Sequence, residues 1–230
     1  MDQIPGLLAK EDVDGLTALL VADERQVRIA AAQALGQLCQ PSTIPSLIGA
    51  MGDAEVPVRW AAAKALTQIG RPAIPALITT LDGKGGRLAP FALWALGEIG
   101  SPLAIDALIE ASSSKEWRVR WSAAEALGDL RGRRAIDALI DALGDRDVRV
   151  RNAASEALQE IGEPAVEWLA VALRHSDKLI RQTARLTLHR IDCPAAQAHL
   201  RRAQLVFWIP VLAIVIGALL VIIWLASLII

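Results

Sequence analysis

The sequence predicts an all-α solenoid of about six helical-hairpin repeats followed by a single transmembrane helix. Three observations predict it. A twelve-residue phrase recurs six times at a near-constant spacing, apolar residues follow helical periodicity within and between the copies, and the last 26 residues carry no charge. The phrase reads VRIAAAQALGQL at Val27–Leu38, VRWAAAKALTQI at Val58–Ile69 and LAPFALWALGEI at Leu88–Ile99. It continues as VRWSAAEALGDL at Val119–Leu130, VRNAASEALQEI at Val150–Ile161 and IRQTARLTLHRI at Ile180–Ile191. Its central leucine falls at Leu35, Leu66, Leu96, Leu127, Leu158 and Leu188, with gaps of 31, 30, 31, 31 and 30 residues. A unit of that size cannot bury its apolar face alone, so neighbouring units must stack around one continuous core.

Composition fits this reading. Hydrophobic residues make up 53% of the chain and aromatics only 4%, which leaves alanine and leucine to build the core. Cys39 and Cys193 lie far apart and suggest no disulfide framework. The start, Met1-Asp2-Gln3-Ile4-Pro5, lacks a basic and then apolar opening, so no signal peptide is expected. Charge is uneven. Residues 1–173 hold 17 Lys/Arg and 23 Asp/Glu, whereas residues 174–204 hold 7 and 2.

Residues 1–22 are expected to form an N-terminal capping helical segment, with Leu7, Leu8, Val13, Leu16, Leu19 and Leu20 as its apolar set. The solenoid is expected over 23–203. In its first phrase Val27, Ala31, Ala34, Leu35 and Leu38 fall at i, i+4, i+7, i+8 and i+11, one face of a helix. Between phrases, Ile44-x-x-Leu47-Ile48 and its counterparts at Ile74, Ile105, Ile136 and Val166 mark the partner helices. Gly70, Gly100 and Gly162 follow their phrases, where a helix needs a left-handed residue. Pro41, Pro72, Pro102 and Pro164 come next, near the partner-helix starts. Glu24, Glu55, Glu116, Asp147 and Asp177 each stand four residues before the arginine slot, placing negative charge at a helix N-terminus.

These residues carry a family resemblance. VRxxAAxALGxIG followed by AIxxLIxAL, at about 31 residues, resembles the short HEAT-like repeats first known from phycobilisome lyase subunits. The resemblance spans roughly residues 10–200. Arg28, Arg59, Arg120, Arg151 and Arg181 share one slot. The third copy departs, with Ala89 in that slot, Pro90 after it, and Gly83-Lys84-Gly85-Gly86 before it. The resemblance implies a right-handed superhelix whose arginine-bearing helices line the concave, ligand-facing side. Some members of the wider group are iron hydroxylases that use His-Glu dipeptides; this chain has none, so that activity does not carry over.

Enzyme constellations are sparse. His175, His189 and His199 all fall in the last repeat and its exit, and His189 with Cys193 lacks a second close pair for zinc. Gly83–Arg87 lacks the serine or threonine of a phosphate loop. Basic residues at 131–151 are interleaved with aspartates, unlike the uncompensated charge of a nucleic-acid surface. The repeated arginines are expected to bond to the loop of a neighbouring repeat. No enzyme activity, cofactor or metal is expected.

The tryptophans point to binding. The residue after the arginine slot is Ile29, Trp60, Pro90, Trp121, Asn152 and Gln182; four residues on come Gln33, Lys64, Trp94, Glu125, Glu156 and Leu186. Both positions share a helix face, turned about 200° from the core valine at 100° per residue. Trp60, Trp94 and Trp121 are therefore expected on one exposed side of three successive repeats, with Phe91 beside them. Lys64, Glu125, Asn152 and Glu156 would set the polarity of a groove for a protein partner. Packing over the alanine-rich stripe is the alternative for these aromatics. Trp168, on a partner helix, reads as outer-layer packing.

The C-terminal segment 204–230 reads as the membrane helix. Leu205–Ile230 exceeds the roughly 20 apolar residues needed to span a bilayer, with Trp208 and Trp224 near its ends as interfacial residues. Arg185, Arg190, Arg201 and Arg202 are expected to meet an anionic lipid surface and to hold the solenoid on the cytoplasmic side. Ala213 and Gly217 form one small-xxx-small pair through which a homo-oligomer could assemble. The expected function is a tail-anchored, non-catalytic scaffold at a bacterial inner membrane. The resemblance supplies the alternative, a bilin lyase or chromophore chaperone.

Overall fold

Each copy of the phrase folds as one helix because its alanines and leucine give a narrow apolar stripe with high helix propensity. A computed structural model describes residues 3–82 and 87–202. The helices there are α1 (Gln3–Ala9), α2 (Val13–Ala18), α3 (Arg25–Leu38), α4 (Ile44–Ala50), α5 (Val56–Ile69), α6 (Ile74–Asp82) and α7 (Ala89–Ile99). They continue as α8 (Ile105–Ala111), α9 (Trp117–Leu130), α10 (Arg133–Ala142), α11 (Val148–Ile161), α12 (Glu163–Ala172) and α13 (Lys178–Arg190). A last helix, α14, covers 194–202. No strand occurs among the described residues.

The phrase helices α3, α5, α7, α9, α11 and α13 pack side by side as one layer, and α4, α6, α8, α10 and α12 form a second layer behind them. Neighbours within the second layer touch far less than most neighbours within the first. A two-layer stack bends toward its closely spaced layer, so the phrase helices form the inner, concave face. The six central leucines are all fully buried, each contributing about 1.5–3 kcal/mol of transfer free energy.

Close spacing of the inner layer comes from glycine facing alanine. A Cβ at Gly36 would lie 2.9 Å from the Ala65 Cα, one at Gly97 2.8 Å from the Ala126 Cα, and one at Gly128 2.8 Å from the Ala157 Cβ. The same slot holds Thr67 in α5 and Gln159 in α11. At those two joints, α5–α7 and α11–α13, the helices pack less extensively. The third copy is irregular as expected: α7 has 11 residues against 14 in α3, α5, α9 and α11.

Helix ends follow the sequence signals in part. Glu24, Glu55, Glu116, Asp147 and Asp177 are all N-caps. Only the aspartates bond through their side chains, Asp147 to the Arg149 amide and Asp177 to the Leu179 and Ile180 amides. Gly70, Gly100 and Gly162 have positive φ of 78°, 64° and 73°. Cys39 and Arg131 occupy the equivalent left-handed positions, at φ 51° and 47°, which the sequence did not signal. Non-glycine residues there cost about 1–2 kcal/mol each.

The arginine slot ties each repeat to its loops. Arg28 bonds to the Ala22 and Asp23 carbonyls and forks onto Asp53 at 2.8 and 3.1 Å. Arg120 bonds to the Ser114 and Lys115 carbonyls and forks onto Asp145 at 2.6 and 2.8 Å. Asp53 and Asp145 belong to the loop of the following repeat, as the expected inter-repeat tie requires. Arg59, Arg151 and Arg181 keep the carbonyl contacts. Guanidinium contact holds the Asp53 and Asp145 carboxyls below the ordinary carboxylate range against the opposing effect of burial.

Among the described residues no helix is long and apolar enough to cross a membrane. The apolar segment Leu205–Ile230, with Trp208, Trp224, Ala213 and Gly217, lies outside the described residues.

Candidate functional site

The inner face is built from three positions on each phrase helix, spaced four residues apart so that they form one row. From α3 to α13 the rows are Ile29, Gln33, Gln37; Trp60, Lys64, Gln68; Pro90, Trp94, Glu98; Trp121, Glu125, Asp129; Asn152, Glu156, Glu160; and Gln182, Leu186, Arg190. The expected residues Lys64, Glu125, Asn152 and Glu156 are exposed, as are Trp60 and Trp121, at 43% and 37%. A shallow groove between α3 and α5 is lined by Gln33, Gln37, Lys64 and Gln68.

Two expectations need correction. Phe91 is buried at 9% and belongs to the core rather than to the exposed face. It stands one residue nearer the core side than Pro90, where the other copies carry Ala30, Ala61, Ser122, Ala153 and Thr183. Its bulk occupies space at the α5–α7 joint, where Thr67 replaces the close-contact glycine. Trp94 is half-buried and packs on the core instead of standing free between Trp60 and Trp121. The Trp60 ring meets the Trp94 ring edge-on at 4.9 Å and the Phe91 ring at 5.0 Å, and the Arg59 guanidinium lies 5.3 Å from the Phe91 centroid. Edge-to-face pairs of this kind contribute about 0.5–1.5 kcal/mol beyond area burial. Trp60 is therefore both a packing residue and a half-exposed one. Trp168 packs in the outer layer as expected, under the Arg133 guanidinium at 4.9 Å.

The charge of this face changes along the stack. Glu98, Glu125, Asp129, Glu156 and Glu160 occupy neighbouring positions on α7, α9 and α11, and none forms an ion pair among the described residues. Partial burial, then repulsion from Asp129, Glu156 and Glu160, pushes the Glu125 carboxyl up to about 7. Burial, with Glu98 and Glu160, also raises Asp129 against the opposing pull of Arg131. Glu98, Asp129 and Glu160 were not singled out from sequence, although each sits one turn beyond the row that was. Arg185, Arg190, Arg201 and Arg202 are exposed at the far end of the stack.

Paired helices repeated around one core, with an inner face that varies while the packing slots stay fixed, define a helical-repeat solenoid. The chain belongs to the HEAT-repeat family: the pattern of HEAT repeats matches residues 13–89, 87–159 and 136–205. No curated protein matches it by sequence. Among solved structures it is similar to a chain from the complex of CpcE and CpcF of phycocyanin lyase from Nostoc sp. PCC7120. That likeness is 26% identity over 64% of this chain and 99% of that chain, with a TM-score of 0.53. It is also similar to YibA of Escherichia coli, at 20% identity over 76% of this chain and 69% of that one, with a TM-score of 0.50. An engineered protein aligns at 22% identity over 79% and 98%, with a TM-score of 0.43.

Proposed function

We propose that this chain is a non-catalytic, membrane-anchored scaffold that holds a protein partner in its concave groove. One observation carries the reading: Trp60 and Trp121 keep 43% and 37% of their surface open on the inner face, rimmed by charged and polar side chains. Large aromatics in such a setting are typical anchors of protein interfaces. The CpcE and CpcF likeness supports a protein partner, since that structure is itself a complex of two proteins. The apolar stretch Leu205–Ile230 and the exposed basic residues Arg185, Arg190, Arg201 and Arg202 support attachment to an anionic bilayer, with the solenoid on the cytoplasmic side of a bacterial inner membrane.

The test is crosslinking in native membranes followed by mass spectrometry, comparing wild type with Trp121→Ala and with Trp60→Ala/Trp121→Ala. A partner lost from the variants while membrane level and helicity hold supports docking in the groove. Identical crosslink patterns in all three proteins sink it. The phycocyanin-lyase likeness favours a second reading, a bilin lyase or chromophore chaperone. Co-expression with a bilin pathway tests it; a colourless purified protein counts against it.

A further inference from the structure

The aromatic groove does not run evenly along the inner face. Its centre, on α7, α9 and α11, presents nine row positions: Pro90, Trp94, Glu98, Trp121, Glu125, Asp129, Asn152, Glu156 and Glu160. Five are carboxylates and none is basic. The flanking rows are different, with Lys64 on α5 and Arg190 on α13. Elsewhere in the molecule acidic groups close to arginines are paired: Asp53 with Arg28, Asp145 with Arg120, Asp147 with Arg149, Asp106 with Arg134. The five central carboxylates have no such partner among the described residues. Trp121 stands exposed on the same helix as Glu125 and Asp129.

Resting on the docking reading above, we infer that the partner segment held across α7, α9 and α11 is basic. Its lysine or arginine head groups meet Glu98, Glu125, Asp129, Glu156 and Glu160, and its aliphatic stems lie against Trp94 and Trp121. The match is one of charge and of shape. A tryptophan face attracts a cation and also packs the methylenes behind it, and unpaired carboxylates supply the counter-charge. An anionic segment would meet repulsion from five groups. The three helices span roughly 20 Å at about 10 Å per helix pair, which an extended segment of about six residues crosses at 3.3 Å each. The charged groups that act on Glu125 are Asp129 on its own helix and Glu156 and Glu160 from α11; Trp94 and Glu98 hold the neighbouring row on α7, and the one cation at the cluster's edge, Arg131, acts on Asp129. Burial first, then repulsion from these three carboxylates, holds the Glu125 carboxyl at about 7; an arriving cation would draw it back down.

The experiment uses the full chain in mild detergent and three fluorescein-labelled octapeptides in which leucine alternates with lysine, glutamine or glutamate. Fluorescence anisotropy reads binding to wild type, to Glu125→Gln/Asp129→Asn/Glu156→Gln, and to Trp121→Ala. The lysine peptide is expected to bind best, with an affinity that falls as salt rises. The triple variant is expected to lose about tenfold, the sum of three partly exposed charge contacts, and its salt dependence should flatten. A lysine peptide that binds no better than the glutamine peptide overturns the inference, as does an unchanged affinity in the triple variant. The two readings fail separately. If the native crosslinked partner is lost in Trp121→Ala but kept in the triple variant, docking stands and a basic partner is refuted. If both variants keep it, the groove is not the docking site.

Discussion

Replacing Arg120 by alanine should cost more stability than any other change in the arginine slot. Its side chain is 6% exposed and its Asp145 partner 10%. Its guanidinium donates four hydrogen bonds, two to the Asp145 carboxylate and two to the loop carbonyls of Ser114 and Lys115. Removal leaves Asp145 with the Asp147 amide as its other close donor and strands two carbonyls. Breaking one side of a buried pair costs about 3–5 kcal/mol, because the remaining charge is uncompensated. Arg151 makes a useful contrast, since its guanidinium meets only the Asp145 and Arg146 carbonyls. Its loss should cost about 1–3 kcal/mol at roughly 0.5–1.5 per bond. The assay is urea unfolding of the full chain in mild detergent, followed by far-ultraviolet circular dichroism. Asp145→Ala and the Arg120→Ala/Asp145→Ala double variant complete the cycle, with a coupling of about 0.5–3 kcal/mol expected. The Arg120 change should also split or broaden the transition, because repeats couple only to their neighbours. Equal costs at Arg120 and Arg151, or no coupling to Asp145, would refute the reasoning.

Three further outcomes are expected. Gly97→Ala should lower stability by about 1–2 kcal/mol: the added Cβ falls 2.8 Å from the Ala126 Cα, and that overpacking outweighs the roughly 1 kcal/mol gained in helix propensity. Gly49→Ala, with nothing within 4 Å of its Cβ, should raise stability by up to about 1 kcal/mol, and the same unfolding assay would show the signs if the close-contact model holds. Glu125, with its carboxyl at about 7 against an ordinary 4.5, holds a proton in the folded chain that the unfolded chain has released. Stability should therefore fall as pH rises from about 4.5 to 7. Thermal melts of Glu125→Gln should show a shallower fall across that window, and an unaltered slope would count against the crowding of carboxylates on α9 and α11.

The repeat and its packing were legible because each slot faces one environment in every copy. Leu35 and its five counterparts are all fully buried, so a single period carried the architecture. The acidic residues before the arginines were legible as N-caps for the same reason. Less visible was what depends on distance between helices. Adjacency in sequence puts Phe91 with the tryptophans of the exposed face, but the room that takes its ring into the core at the α5–α7 joint depends on Thr67 and on where α7 begins. The left-handed Cys39 and Arg131 leave no mark in the sequence, because the carbonyl pattern at a helix end, not the side chain, demands that conformation. The acidic rows on α7, α9 and α11 were half seen. Helical spacing from the tryptophans reaches Glu125 and Glu156, while Glu98, Asp129 and Glu160, one turn further, become neighbours only when three helices are laid side by side.

This division between packing slots and inner rows decides which tryptophan can report on binding. Trp60 leans on Trp94 and Phe91, so Trp60→Ala removes two edge contacts and opens the α5–α7 joint, one of the two less extensive joints of the inner layer. A loss of partner binding in that variant would mix docking with a shift of α7. Trp121 lies on α9, between two glycine–alanine contacts that hold the helix on both sides, Gly97 on Ala126 and Gly128 on Ala157. The residue is 37% exposed, and the helix beneath it does not depend on the indole for its position. Truncating Trp121 should therefore leave unfolding nearly unchanged while binding falls. A Trp121→Ala variant that unfolds as readily as Trp60→Ala would mean that the indole packs rather than docks, and the groove would lose its central anchor.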